Sequence, residues 1–384
     1  MSSAALLGEL RLAQELVMAL LEPLQDGDYR RQYHPELSPL GWHVGHCTYI
    51  ECYWLQEVVL GDNRFTAPVA DIYTAGLTPK PERGARLPAL DVLKQWTLDM
   101  QSLNADTLDI SPAVLTEHPL MQDDYLLHFL IQHYSQHYEN MLAVLTQRAL
   151  AAPTADFLVR QPITSSPLRQ ERISIQVGHY RVGGTPPGAY DNELPAQQAT
   201  LGPCEIARQP VSNSEYLAFM EAGGYENTAH WNAAGWQWQQ QQQARAPQHW
   251  RQDSTDNWYG IGVRGACELD GNDAVHGISH YEAAAFADWA GGRLPHEHQW
   301  EVACRLQFLQ QTGRVWEWCE NPFYPYAGFK PFPYEDYSQA WFDNQHYSLR
   351  GGSLHTRPAI KRASFRNFHT PSKRHIFAGL RLVW

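Results

Sequence analysis

The chain has 384 residues, a formal net charge of −12 and only 18% charged residues. That length suits about two domains, each able to bury a core, and the acidic balance leaves no broad basic surface for nucleic acid or an anionic membrane. Six cysteines form no CxxC pair, no apolar run approaches the roughly 20 residues that cross a bilayer, and the first residues lack the basic-then-apolar pattern of a signal peptide; a reduced, cytoplasmic enzyme acting on small molecules is expected.

Residues 1 to about 150 carry helical periodicity. Leu6, Leu10, Leu16, Val17, Leu20 and Leu21 mark a first amphipathic helix that stops before Pro23. A second begins at Ser38-Pro39, an N-cap followed by proline at the first helical position, and ends near Gly61. Trp42, His46, Tyr49, Ile50 and Tyr53 share one face of it. A loop with Arg83 and Arg86 leads to a third helix from about Pro88 to Leu103, and a fourth spans about His118 to Ala149. Four helices of this kind make a bundle, a fold whose core commonly holds a metal. Residues 151–170 lose the period and contain Pro153, Pro162 and Pro167, as a linker would. Residues 171–384 read as a loop-rich domain of short strands, rich in Trp and Tyr, with helices at Ser212–Ala222 and His280–Ala290. The Gln-rich piece Gln237–Gln243 reads as an exposed loop or helix tip.

The chemistry centres on His133-Tyr134-Ser135-Gln136-His137-Tyr138-Glu139. Two histidines four apart lie on one helical face and reach one metal ion. His46, on the interior face of the second helix, supplies a third imidazole. Three imidazoles without a carboxylate suit either a zinc hydrolase with water in the fourth position or a non-haem iron(II) site that keeps positions for substrates. Glu139 is read either as an acceptor that orients an imidazole or as a solvated carboxylate.

Four segments of the second half occur in order: Gly292-Arg293-Leu294-Pro295 through Trp300-Glu301-Val302-Ala303, Gly313-Arg314-Val315-Trp316-Glu317-Trp318, Leu349-Arg350-Gly351-Gly352-Ser353, and Phe377-Ala378-Gly379-Leu380-Arg381. This series resembles the formylglycine-generating-enzyme-like fold, related to C-type lectins. With an N-terminal DinB-like bundle carrying His46 and the HxxxHxE run, nearly the whole chain resembles the EgtB-type sulfoxide synthases of ergothioneine biosynthesis. The resemblance implies an α+β chain whose two domains meet at the 151–170 linker. It further implies an iron(II) ion held by His46, His133 and His137, with dioxygen as co-substrate for joining a thiol to the imidazole of hercynine. Gln136 would contact the substrate imidazole. Tyr326 would supply a proton, Asn367 and Phe368 would meet the amino-betaine end, and Arg83 and Arg86 would clamp the carboxylates of the thiol.

This chain departs from the family pattern in three places. His369 stands where relatives that use γ-glutamylcysteine carry an aspartate, which favours free cysteine. His43 stands where many relatives have aspartate, either beside the metal site or as an alternative ligand. Leu354-His355 replaces the usual aromatic-small dipeptide. No cysteine follows Cys319, which argues against formylglycine generation with its copper-binding pair. The alternatives left open are a selenoneine-type synthase taking a selenosugar, a DinB-type metal-dependent thiol transferase, and a non-catalytic binding module.

Overall fold

The computed structural model describes residues 2–110, 117–152 and 157–384. It divides into two units, Met1–Ala151 and Ala152–Trp384. Residues Val159, Arg160, Arg169 and Gln170 hydrogen-bond to Asp253, Glu268 and Glu215. The segment expected to link the domains is therefore strapped onto the second unit from Val159 onward, three of its backbone amides and the Gln170 side chain held by carboxylates.

In the first unit, α1 (Ser3–Ala19) is capped by Ser2, whose hydroxyl accepts from the Ala5 amide. It is followed by the short α2 (Asp26–Arg30) and by α3 (Leu40–Cys52), which continues as a π-helical segment, Tyr53–Val59. Ser38 does not cap α3: Pro39 holds that position, and the Ser38 hydroxyl instead accepts from Arg83 at 2.5 Å. Two short helices follow, α4 (Ala70–Tyr73) and α5 (Lys80–Arg86), so both arginines expected in a loop lie on a helix. The third long helix, α6 (Leu90–Ile110), runs about two turns past the expected end at Leu103. The fourth, α7 (Tyr125–Ala151), starts only after a 3-10 segment, Pro119–Asp124, which is broken where Asp123 adopts positive φ.

Helix α3 is central, packing on α6, α7 and the three short helices. All its residues except Ile50 are buried, not only one face. Its Glu51 ties the bundle together. One carboxylate oxygen accepts from Gln14 of α1 and Tyr134 of α7, each at 2.8 Å, and the other accepts from Asn104 of α6 at 3.0 Å. Burial raises the Glu51 pKa, and these three donors oppose that shift.

The second unit has little regular structure, as expected of the loop-rich half. Strands β1 (Arg172–Ile175) and β4 (Cys204–Ala207) pair, as do β2 (Gly178–Val182) and β3 (Gln197–Leu201), both antiparallel. A three-stranded sheet joins β5 (Trp250–Gln252), β6 (Trp258–Gly262) and β7 (Gly265–Cys267). A four-stranded sheet runs β10 (Asn367–His369), β9 (Tyr347–Arg350), β8 (Trp316–Pro322), β11 (Ala378–Gly379), with only β11 parallel to its neighbour. The helices are α8 (Asn213–Glu221), α9 (Ala233–Gln242), α10 (His280–Trp289) and α11 (Glu297–Arg305). Helix α9 takes up the Gln-rich piece, anchored by the buried Trp238 and Gln239.

The four ordered motifs form this unit's buried ionic frame. Glu317 of β8 accepts from Trp300 of α11 and from Arg381 after β11. Arg350 at the end of β9 lies 3.0 Å from both Glu297 and Glu301 of α11, and Arg366 pairs with Glu297 at 2.7 Å. All six cysteines are free. No helix among the described residues is long and apolar enough to cross a membrane.

Replacing Glu51 with Ala strands three buried donors, so thermal or urea unfolding of the full chain should show the bundle weakened by about 3–5 kcal/mol. Glu51→Gln keeps an acceptor and should cost less. An alanine variant as stable as wild type would remove the carboxylate from this role.

Candidate metal centre

His46 projects from α3, and His133 and His137 project from successive turns of α7. One ring nitrogen from each lies within 4.8 Å of the other two, close enough to share one ion. The His46 Nδ1 faces the backbone carbonyl of Tyr73 at 2.7 Å. That carbonyl can only accept, so Nδ1 carries the proton and Nε2 is left as the ligand. The His137 Nδ1 faces the Nδ1 of His43 at 2.8 Å, and the His133 Nδ1 is buried with no hydrogen-bond partner among the described residues.

Burial lowers the pKa values of these rings, His43 to about 3, His46 to about 4, and His133 and His137 well below the usual range; for His43, His133 and His137 repulsion from neighbouring histidines adds to it. For His46 the Tyr73 contact opposes the shift, while Arg83 adds to it. At neutral pH all four imidazoles are therefore uncharged, the form that binds metal. Convergent neutral rings with an unpartnered buried nitrogen fit a divalent cation better than they fit one another.

Helix α3 approaches this cluster closely because position 45 is glycine. A Cβ there would stand 2.1 Å from the Tyr73 ring, whose main chain holds His46. Trp42 stacks on His46 with ring centroids 4.5 Å apart, and the Arg83 guanidinium lies 3.8 Å from the Trp42 ring.

The other residues singled out from the sequence fall as follows. Arg83 is 5% exposed, and three of its donors go to Thr78, Ser38 and Ala75. Burial lowers its pKa to about 10. Arg86 is the accessible member of the pair, near Asp71. Gln136 is half-buried on α7, and Glu139 is buried, which overturns the solvated reading of that carboxylate.

In the second unit, Asn367, Phe368 and His369 form β10. The Asn367 side chain accepts from the Phe368 amide, and the Phe368 ring stacks on Phe323 at 4.3 Å. The His369 Nδ1 lies 3.4 Å from the Lys373 ammonium. Tyr326 is 2% exposed, accepts from Arg350 at 3.3 Å and lies under the Arg366 guanidinium. Burial raises its pKa, so the phenol stays protonated. In the same stretch Tyr334 is 37% exposed. Two features escaped the sequence: the Tyr73 carbonyl, which no residue type announces, and the Tyr324 hydroxyl, 3.4 Å from His296 and 3.5 Å from His298.

Residues 9–141 match the DinB superfamily, and residues 160–312 and 306–384 match the sulfatase-modifying factor enzyme 1-like domain. The chain is 31% identical to the hercynine oxygenase of Mycolicibacterium smegmatis, over 98% of this chain and 97% of that protein. It is 30% identical to the hercynine oxygenase of Mycobacterium tuberculosis, over 95% of each. Ergothioneine biosynthesis protein 1 of Schizosaccharomyces pombe is 26% identical over 51% of this chain and 27% of that protein.

The neutral imidazoles set a pH dependence. Their folded pKa values lie below the unfolded value near 6.5, so between those limits the unfolded chain binds more protons and stability rises with pH. Metal-free protein should therefore lose about 1 kcal/mol per pH unit for each of these histidines as pH falls from about 6.5 to about 4. Melting temperatures across that range check this, and a flat profile would contradict the buried neutral cluster.

Proposed function

Since the chain belongs to the hercynine oxygenase family, it is an oxygen-dependent sulfoxide synthase of ergothioneine biosynthesis, and we propose that it joins hercynine to cysteine at an iron(II) ion held by His46, His133 and His137. The observation that carries this reading is the convergence of three neutral imidazoles, His46 and His133 buried and His137 partly so, in a chain similar to hercynine oxygenases over 98% of its length. In the overall reaction one carbon–sulfur bond forms as the imidazole carbon and the thiol each lose hydrogen. One oxygen atom of dioxygen ends on sulfur, and the other leaves as water with those two hydrogens. Iron(II), when bound, supplies the one-electron chemistry that lets dioxygen react with both substrates.

The residues of the chain bind and orient. Three neutral ligands leave the charge of the ion uncompensated, which favours a sulfur substrate that binds as thiolate. Gln136 hydrogen-bonds the substrate imidazole. Asn367 meets the amino-betaine end, and Phe368, backed by Phe323, offers a ring to the quaternary ammonium. Arg86 takes the carboxylate of the thiol, its fork suited to that partner; Arg83, with three donors engaged, supports it from behind Trp42. His369 replaces the aspartate that would meet the ammonium of a γ-glutamyl group, which is why cysteine is the preferred donor. Tyr326, kept protonated by burial, offers a phenolic proton. The six free thiols fit a reducing, cytoplasmic setting.

Purified protein given iron(II), hercynine and cysteine should consume dioxygen only when all three are present, with the sulfoxide identified by mass spectrometry. A selenosugar outcompeting cysteine would favour a selenium donor, and product formed without oxygen would favour a thiol transferase. His137→Ala should lose most iron and all coupling. Tyr326→Phe should retain iron while its product shifts toward oxidised thiol; unchanged product ratios would remove Tyr326 from this role.

A further inference from the structure

His43 lies one turn before His46 on α3 and is 4% exposed. It stands outside the group of nitrogens that converge, so it is not placed as a fourth ligand. Its Nδ1 meets the His137 Nδ1 at 2.8 Å, with ring centroids 5.1 Å apart and the rings inclined at 60°. Only one proton can lie between two such nitrogens when both rings are neutral.

A histidine that binds metal through Nε2 must carry its proton on Nδ1, and that N–H needs an acceptor. Tyr73 provides one for His46. For His137 the group in contact is His43 Nδ1. His43 then carries its own proton on the buried Nε2, and the Ser38 backbone lies within hydrogen-bonding reach of its ring.

We propose that His43 is a positioning residue of the metal centre: a neutral acceptor that fixes the tautomer and ring plane of His137. The proposal rests on the three-histidine reading above. It has an electrostatic corollary. Both acceptors behind the ligand rings, a backbone carbonyl and an imidazole, are uncharged, so neither lends negative charge to the ion through its ligand. A carboxylate in the place of His43 would polarise the His137 N–H and make that ligand more basic. It would also add a nearby negative charge and stabilise the oxidised ion relative to the reduced one. His43 therefore holds the site in a form that favours the lower oxidation state and the binding of anionic sulfur.

Three full-length variants test this. His43→Leu removes the acceptor, His43→Asn keeps a neutral oxygen near the Nδ1 position, and His43→Asp supplies a charged one. Cobalt(II) affinity and the visible d–d spectrum are read for each, with circular dichroism checking the fold, and the iron(III)/iron(II) potential is measured for wild type and the last two. His43→Leu should bind cobalt(II) about 10–100-fold more weakly with an altered spectrum, while His43→Asn stays within about threefold of wild type. His43→Asp should bind as well as His43→Asn but at a lower iron potential. A leucine variant equal to wild type in affinity and spectrum would overturn the proposal, as would an asparagine variant as weak as leucine. If His43→Leu does not fold, equal iron potentials in the Asn and Asp variants overturn it. Should wild-type protein take up neither cobalt nor iron, the three-histidine reading itself falls.

Discussion

A charge taken out of water must meet a partner, and in this chain that requirement decides which elements can lie together. Glu317 on β8 can be buried only because Arg381 and Trp300 reach it from distant parts of the sequence. Glu297 and Glu301 bind α11 to the four-stranded sheet through Arg350 and Arg366. Such pairs add little net stability, because desolvation offsets most of the attraction, yet a packing that separates them leaves a bare buried ion. In a unit with short strands and long loops they act chiefly as specificity devices. Glu51 does the same with neutral donors in the bundle, collecting one side chain from each of the other three long helices.

How much of this was legible in the sequence follows from what each feature depends on. The four long helices were readable because a repeat of apolar side chains is a local property; the end of α6 and the start of α7 were not, because capping and kinks depend on contacts made after folding. Ser38-Pro39 had the form of a cap, yet Arg83 competes for the serine hydroxyl. The arginine-bearing motifs were recognisable as a set, but that they pair as Glu301 with Arg350 and Glu317 with Arg381 is a fact of three dimensions.

At the candidate metal centre the split runs the same way. His133 and His137 are one turn apart on one helix, so their meeting could be read from spacing alone. The convergence of His46 needed the bundle, which periodicity implied. What the sequence left open was the surroundings: whether His43 was a ligand, and what each ring's second nitrogen would meet. His43 proves to contact His137 through Nδ1 and to stand outside the convergent group. Arg83 was read as a loop residue that would clamp the carboxylates of the thiol; in the structure it is buried against Trp42, which stacks on His46. Its long aliphatic stem and planar head make that placement as natural as a solvated one.

The Tyr73 carbonyl, finally, orients His46 through the main chain. Every residue type but none in particular offers that oxygen, so substitution at position 73 cannot delete it, and alignment of related sequences would show no trace of its task. What drift can change is the path of the backbone, and Gly45 is where that path is exposed to mutation, since any side chain there meets the Tyr73 ring. The heritable record of this contact thus lies in a residue that has no functional group at all.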